Sequence, residues 1–166
     1  MLALGVYRGE LRRAIHAMKF RNCRWIAARF GRNLARVVQD HDAHWRPDIV
    51  TWAPTTPRRI RRRGHDQSFI IASSLARHLR VRRVRVLRRL DDRAQTGASR
   101  GARQRGPQFA VRSHAVQGRA ILLVDDVMTT GTTLLRAREA LIAAGALEVR
   151  CAVIAHVKAR ISTRVG

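Results

Sequence analysis

The sequence predicts an α/β fold in which a mostly parallel sheet is flanked by helices. Apolar runs rich in β-forming residues recur at 48–53, 120–125 and 147–157, and stretches with apolar residues at helical spacing lie between them. The last two runs are apolar almost throughout, as in strands that are covered on both faces. Hydrophobic residues make up 46% of the 166-residue chain, which is enough for one domain with its own core.

We expect a single domain over residues 1–166, made of a helical N-terminal part (1–46) and an α/β core (47–157). Residues 9–39 carry apolar side chains at helical spacing, which predicts two helices with a break near residues 21–22. No internal repeat and no linker-like segment divides the chain.

The core is predicted to begin after Pro47 with a short strand over 48–53. Residues 54–67 contain two prolines and a glycine, and are therefore predicted to form a loop. Asp66 or Ser68 is then placed to cap the next helix, because short polar side chains satisfy the free N–H groups of a helix start.

The capped helix is predicted over residues 68–79, and further elements follow it. A strand is predicted near 83–88, and the polar stretch 91–108 is predicted to be a long, flexible loop. Residues 110–116 are expected to form a short hairpin arm. After the strand at 120–125, the segment 132–145 has the composition and spacing of a helix.

The charge of the chain is strongly positive, with 34 basic residues against 11 acidic ones and a net charge of +23. Residues 57–105 hold sixteen arginines but only three aspartates. This concentration favours anionic partners, either the phosphates of a small ligand or non-specific DNA. Aromatic residues make up 5% of the chain and are scattered, which argues against a stacking platform for single strands.

Several other classes of protein are excluded by simple features. No apolar run reaches the roughly 20 residues of a membrane helix. The apolar run at the start of the chain is too short for a secretory signal. Cys23 and Cys151 are far apart and form no metal-type pair. A reducing compartment and a cytoplasmic location are therefore expected, with no membrane partner.

The segment ILLVDDVMTTGTT, 121–133, carries the chemistry. Asp125 and Asp126 fall at the carboxyl end of a predicted central strand, where open α/β sheets bind ligands. Residues 129–133 then form a threonine-rich turn into a helix, and helix starts bind anions through backbone N–H groups. No lysine follows Gly131, so this is not a nucleoside-triphosphate loop. A phosphate-binding turn next to two carboxylates suggests that the ligand is a phosphorylated sugar. The carboxylates can accept hydrogen bonds from its hydroxyl groups and hold Mg²⁺ through water.

This segment resembles the binding motif for 5-phosphoribosyl 1-pyrophosphate (PRPP) in type I phosphoribosyltransferases, where an apolar strand precedes two acids and a T-T-G-x-T loop. The resemblance implies the type I phosphoribosyltransferase fold, with a twisted, mostly parallel sheet, a small N-terminal helical part and a flexible loop. It also implies PRPP as ligand, Mg²⁺ as cofactor and transfer of the phosphoribosyl group with release of pyrophosphate.

Three more segments are similar to the ComF-like amidophosphoribosyltransferase group. They are YRGELRRAIHAMKF (7–20), APTTPRRIRRRGHDQS (53–68) and AQTGASRGARQRGPQF (94–109). The matching residues are Tyr7, Gly9, Ile15, His16, Lys19, Phe20, Pro54, Arg59, Arg63, Gly64, Gln67, Gln95, Ser99, Arg103 and Phe109. The chain departs from the pattern at His65, Asp66 and Ala98, where Phe, Asn and Leu are usual, and it lacks the Asn that usually follows the arginine at position 103. Longer members carry a cysteine-rich, zinc-binding segment before the Tyr7 region. This chain is interpreted as a short form without that segment, as a truncated gene product, or as the result of a misassigned start site.

The resemblance implies roles for individual residues. Asp125 and Asp126, the catalytic candidates, would hold the ribose hydroxyls and, indirectly, Mg²⁺. The 5-phosphate would bind the turn that contains Met128, Thr129, Thr130, Gly131, Thr132 and Thr133. Pyrophosphate would face Thr55, Arg59 and Arg63, while Arg89, Gln95 and Arg103 are weaker candidates.

Alternatives stay open at several residues. Lys19 either reaches the site or caps its own helix, and His16 is either a general acid or structural. Arg61 and Arg62 are interpreted as solvent-facing, and the tryptophans as core or interface residues. Three functions also remain: a transferase, a PRPP-binding regulator without turnover, and a nucleic-acid-binding accessory protein linked to DNA uptake. A homodimer is a candidate oligomeric state.

Overall fold

The computed structural model of the protein describes residues 1–20, 23–90 and 107–157. The strands are β1 (Leu2–Val6), β2 (Ile49–Trp52), β3 (Arg82–Arg83), β4 (Leu87–Arg89), β5 (Phe109–Val111), β6 (Ala120–Met128) and β7 (Glu148–His156). The helices are α1 (Gly9–Phe20), α2 (Arg24–His41), α3 (Pro57–Arg63), α4 (Gln67–Leu79) and α5 (Thr132–Ala143), with a 3₁₀ turn at Ser113–Ala115.

Five strands form one sheet in the order β1-β7-β6-β2-β3, and each neighbouring pair runs parallel. Strands β4 and β5 form a separate antiparallel pair. The sheet confirms the predicted α/β class. Strand β6 lies at its centre, so the two acids in the last part of β6 stand near the middle of one sheet edge.

The sheet is covered on both faces, as its apolar strands predict. Along β6, Leu122 and Val124 pack into a core cluster with α1, α2 and α4, and Ile121 and Leu123 pack into a second cluster with α5. All four side chains are fully buried. This alternation follows from the two-residue period of a strand, in which successive side chains point to opposite faces.

Helices α2 and α4 approach each other unusually closely at Gly31. A methyl group built on Gly31 would lie 2.7 Å from the Ser74 Cβ and 3.0 Å from the Leu75 backbone nitrogen. The Ser74 hydroxyl also donates a hydrogen bond of 2.6 Å to the Ala28 carbonyl oxygen across this contact. Only glycine fits this crossing, which fixes α4 and therefore the site residues at its start.

The N-terminal part, residues 1–46, contains a strand in addition to its predicted helices. Leu2–Val6 form β1, which pairs in parallel with β7 at the edge of the sheet. Two helices follow as predicted, over Gly9–Phe20 and Arg24–His41, and the break assigned to residues 21–22 lies outside the described residues. The strand was missed because it is short, contains a glycine and is stabilised by pairing with a strand about 150 positions away.

The loop predicted over 54–67 also contains an element that was missed, the seven-residue helix α3. The Thr56 hydroxyl oxygen accepts a hydrogen bond of 3.3 Å from the Arg59 backbone N–H, and Pro57 occupies the first turn. Gly64 ends the helix in a left-handed conformation with φ of 75°. Pro57 and Gly64, two of the residues that indicated a loop, therefore mark the boundaries of this helix. Asp66 caps α4, as one of the two predicted candidates.

The strand expected near 83–88 is divided between β3, in the main sheet, and β4, in the antiparallel pair. The arm expected over 110–116 consists of β5, which pairs with β4, and the 3₁₀ turn that follows. The polar loop assigned to 91–108 lies outside the described residues as far as position 106. No helix among the described residues is long and apolar enough to cross a membrane.

Candidate functional site

The carboxyl ends of the parallel strands β1, β2 and β6 meet at one edge of the sheet. Tyr7 follows β1, residues 53–55 follow β2, and the acidic pair, Asp125 and Asp126, lies in the last part of β6. These segments line one cleft of about 330 Å³, called here the edge cleft. Ligands of open α/β sheets bind at such an edge, outside the strand ends.

The edge cleft brings together seven of the residues predicted for the site: Thr55, Arg59, Arg63, Asp125, Asp126, Thr129 and Thr133. Met128, Thr130, Gly131 and Thr132 line a smaller cavity of about 30 Å³, which shares Asp125, Thr129 and Thr133 with the edge cleft. The structure therefore places all eleven predicted residues in two cavities that share part of their lining. Arg89 also lines the edge cleft, and Gln95 and Arg103 lie outside the described residues.

The two carboxylates of the acidic pair have different surroundings. The Asp125 Oδ1 atom accepts hydrogen bonds from the Ser68 hydroxyl at 3.0 Å and from the Asp126 backbone N–H at 2.8 Å. Asp126 accepts from the Val127 N–H at 2.6 Å, and its Oδ2 atom lies 2.7 Å from the Lys19 Nζ atom. Burial, together with the adjacent charge of Asp126, raises the pKa of Asp125 to about 7.

Residues 129–133, the threonine turn, lead from β6 into α5. Gly131 is left-handed, with φ of 80°, and a Cβ atom there would lie 3.4 Å from the Met128 sulfur. The Thr130 and Thr132 hydroxyl oxygens are 3.0 Å apart. Gly131 has no side chain with which to cap the first N–H groups of α5. The turn thus combines hydroxyl donors with a helix start, a combination suited to phosphate.

Helix α3 supplies the arginines opposite the acidic pair. Arg59 is exposed at the edge cleft, whereas Arg63 is partly buried and its Nη1 atom donates a hydrogen bond of 3.3 Å to the Gln67 Oε1 atom. Burial lowers the pKa of Arg63 below its usual range. The Arg63 Nε and Gln67 Nε2 atoms are buried without a hydrogen-bond partner. Unsatisfied donors that line a cleft are suited to an anionic ligand.

Lys19 and His16 differ in their relation to the site. Lys19 lines the edge cleft and pairs with Asp126, which resolves the alternative that it only caps its helix. His16 is exposed and stacks on Phe20, with 4.6 Å between ring centroids. His16 does not belong to the lining of the edge cleft. Arg61 and Arg62 are exposed, as predicted.

The sequence analysis did not assign three polar residues that line the edge cleft: Tyr7, Gln67 and Ser68. Tyr7 and Gln67 stand at positions that match the ComF-like pattern, so that pattern carried a usable signal. Ser68 carried none beyond its nearness to Asp66, because its contact with Asp125 joins positions 57 residues apart. The tryptophans, which were predicted to be core or interface residues, differ in exposure. Trp52 is buried, and Trp25 is 64% exposed.

The fold and the edge cleft together define the class of type I phosphoribosyltransferases. The pattern of the phosphoribosyl transferase domain matches residues 65–164. The chain is 32% identical over 160 residues to the DNA utilization protein YhgH of Escherichia coli O6:H1 (strain CFT073), covering 90% of this chain and 69% of the relative. It is 29% identical over 143 residues to competence protein F of Haemophilus influenzae (strain Rd), covering 81% of this chain and 62% of the relative. The chain belongs to the phosphoribosyltransferase family, in its ComF-like group.

Solved structures support the same fold. Glutamine PRPP amidotransferase from B. subtilis, complexed with ADP and GMP, superposes with a TM-score of 0.54 at 23% identity, covering 77% of this chain and 26% of that one. A hypothetical protein from Neisseria gonorrhoeae with bound ppGpp superposes with a TM-score of 0.53 at 16% identity, covering 82% of this chain and 70% of that one. At these identities the likeness concerns the fold alone.

Proposed function

We propose that this protein binds PRPP in the edge cleft and transfers its phosphoribosyl group to an acceptor, releasing pyrophosphate. One observation carries the proposal: the acidic pair shares the edge cleft with Thr129 and Thr133 of the threonine turn and with two arginines, Arg59 and Arg63. A phosphorylated sugar with a pyrophosphate at C1′ presents groups complementary to all three. The family to which the chain belongs supports this ligand.

The proposed roles follow from the charge and hydrogen-bonding capacity of each group. The threonine turn would hold the 5-phosphate, and the acidic pair would accept hydrogen bonds from the ribose hydroxyls. Arg59 and Arg63, with Thr55, would face pyrophosphate, because guanidinium groups bind phosphate oxygens in a bidentate manner.

In the proposed transfer, the bond between C1′ and the pyrophosphate oxygen breaks and its electron pair leaves with pyrophosphate. The acceptor's lone pair forms the new bond to C1′. The protein's part is to orient the reactants and stabilise charge.

The acidic pair fits a Mg²⁺ ion that is held partly by water and substrate and is not enclosed by protein ligands. No group of three or more His, Cys, Asp or Glu side chains in the described part of the chain is placed to enclose a metal ion. The two adjacent carboxylates suit Mg²⁺ that keeps several waters and is shared with substrate phosphates. When bound, the metal would neutralise charge on the leaving pyrophosphate.

Calorimetry of PRPP binding, with and without Mg²⁺, tests the ligand. Pyrophosphate release over a panel of nucleobases and amines then tests the reaction. We expect PRPP binding that is tighter with Mg²⁺ than without it, and pyrophosphate release with one acceptor class. Binding without release for any acceptor would favour the regulator, which needs the same cleft but no turnover. Absence of PRPP binding by the folded protein would contradict both. The homodimer and the cytoplasmic location remain predictions.

A second candidate function is non-specific DNA binding. Exposed arginines cluster on α3 and in the β3–β4 region: Arg58, Arg59, Arg61, Arg62, Arg82, Arg83, Arg85 and Arg88. The names of the relatives, DNA utilization protein YhgH and competence protein F, agree with this candidate. Helix α3 has seven residues, so contacts should go mainly to phosphates and not to base edges.

The expected result is DNA affinity that falls steeply with salt, by a slope of about −0.9 per phosphate contacted on duplex DNA, and differs little between sequences. Because Arg59 also lines the edge cleft, PRPP should compete with DNA in part. The measurement is a salt titration on several unrelated duplexes, with and without PRPP. A flat salt dependence, or strong preference for one duplex, would contradict this function, as would no binding at about 150 mM salt.

A further inference from the structure

Lys19, in the last turn of α1, connects the N-terminal part of the chain to the acidic pair. Its Nζ atom lies 2.7 Å from the Asp126 Oδ2 atom. The Lys19 side chain is 17% exposed and the Asp126 side chain 16% exposed, so water screens this pair far less than a surface ion pair. The contact joins positions more than a hundred residues apart and places a positive charge inside the edge cleft.

Packing holds Lys19 in this position independently of the ion pair. Ile15 and Met18, on the same helix, are fully buried. The neighbouring Phe20 ring lies 5.8 and 5.7 Å from the guanidinium carbons of Arg62 and Arg63, which joins the end of α1 to α3. The ammonium group is thus delivered to the acidic pair by a docked helix, and its removal should leave the backbone of the cleft in place.

The position of this charge affects two kinds of ligand in opposite directions. Two adjacent carboxylates attract a divalent cation and repel a polyanion, and a bound ammonium group weakens both effects. A divalent cation must compete with Lys19 for Asp126. When a phosphorylated sugar binds without a metal, Lys19 already partly neutralises the negative charge of the acidic pair. The phosphates of the sugar can then also contact Arg59 and Arg63 in the same cleft.

We propose that Lys19 is a positioning residue that acts as a built-in counter-cation of the acidic pair. It weakens divalent-cation binding to the free protein and lets the cleft accept PRPP when no metal is present. The PRPP part of this inference rests on the proposed function. The divalent-cation part concerns the free protein and stands independently of it.

The test compares wild type with Lys19→Met, which removes the ammonium group but keeps an unbranched side chain only one atom shorter. Arg12→Met is the matched control, because Arg12 is exposed on the same helix and its loss changes the net charge equally. Lys19→Arg, which keeps the charge, is the rescue variant. Circular dichroism verifies folding. Measurements at about 0.15 M salt confine electrostatic effects to a range of about 8 Å.

Two readouts decide the outcome. Mn²⁺ binding to the free protein, followed by electron paramagnetic resonance, should tighten about tenfold in Lys19→Met, equivalent to about 1.4 kcal/mol. PRPP affinity with a chelator present should fall about tenfold, so that the gain on adding Mg²⁺ becomes larger than in wild type. Arg12→Met should match wild type in both measurements, and Lys19→Arg should lie closer to wild type than Lys19→Met.

Equal Mn²⁺ affinity in wild type and Lys19→Met, including no detectable binding by either, overturns the proposal. An equal change in Arg12→Met would overturn it as well, because the effect would then come from net charge. A purely structural Lys19 would instead lower PRPP affinity by the same factor with and without Mg²⁺. If wild type binds no PRPP at all, the proposed function fails, and the Mn²⁺ comparison still decides the role of Lys19.

Discussion

Replacing Asp125 and Asp126 together by asparagine is expected to weaken PRPP binding at least about tenfold, or about 1.4 kcal/mol or more. The amides keep the shape of the side chains, but they lose the negative charge that strengthens hydrogen bonds from ribose hydroxyls and holds a hydrated Mg²⁺. Isothermal titration calorimetry with PRPP and Mg²⁺ measures the change. A folded double variant with wild-type affinity would disprove the assignment of the acidic pair.

The matched control removes two surface carboxylates, Asp40→Asn with Glu10→Gln, because both side chains are exposed outside the edge cleft. This control changes the net charge by the same amount as the double variant. The PRPP affinity of this control should stay within about twofold of wild type, since exposed charges outside the edge cleft are screened by salt. A comparable loss in the control would assign the effect to net charge.

Loss of the Asp125 charge should not unfold the protein, because this buried carboxylate costs stability in the free protein. The pKa of Asp125 is raised to about 7, above its value of about 3.9 in an unfolded chain. The raised pKa stabilises the folded protein fully below about pH 4, and this stabilisation is lost as the pH rises through 7. Asp125→Asn should therefore gain more stability relative to wild type at pH 8 than at pH 5, on the order of 1 kcal/mol. Thermal unfolding at the two pH values measures this.

Gly31→Ala is expected to give the largest loss of stability, about 3 kcal/mol. Alanine favours a helix over glycine by about 1 kcal/mol, but the added methyl group would overlap the Ile71 carbonyl and crowd the Leu75 nitrogen. Those are backbone atoms of α4, which cannot rotate away as a side chain would. The clash therefore outweighs the helix propensity, and α2 and α4 must separate.

Thermal or urea unfolding measures this change, with Arg32→Ala as the control. Arg32 is the exposed neighbour of Gly31 in α2, and its replacement should change stability by less than about 0.5 kcal/mol. A melting temperature of Gly31→Ala within a degree or so of wild type would contradict the close packing of the two helices. PRPP affinity should also fall, because α4 carries Gln67 and Ser68 into the edge cleft.

The sequence alone determined the features that depend on neighbouring residues. The buried strand over 120–125, the acids that follow it and the turn into α5 lie within 14 consecutive positions, so their order in the chain is their order in space. Asp66 as a helix cap is likewise local, because a cap acts on N–H groups two or three residues ahead. Strands covered on both faces were also predictable, since continuous apolar runs are typical of them.

Only the tertiary structure decided the features that join distant positions. β1 exists because its backbone groups pair with β7, and a run of five residues with a glycine carries little strand propensity of its own. Lys19 beside Asp126, Ser68 beside Asp125 and Gly31 against α4 are likewise contacts across the fold. Local pattern limits which elements can form. The burial of apolar surface between them then selects which side chains meet, and that selection depends on the whole chain at once.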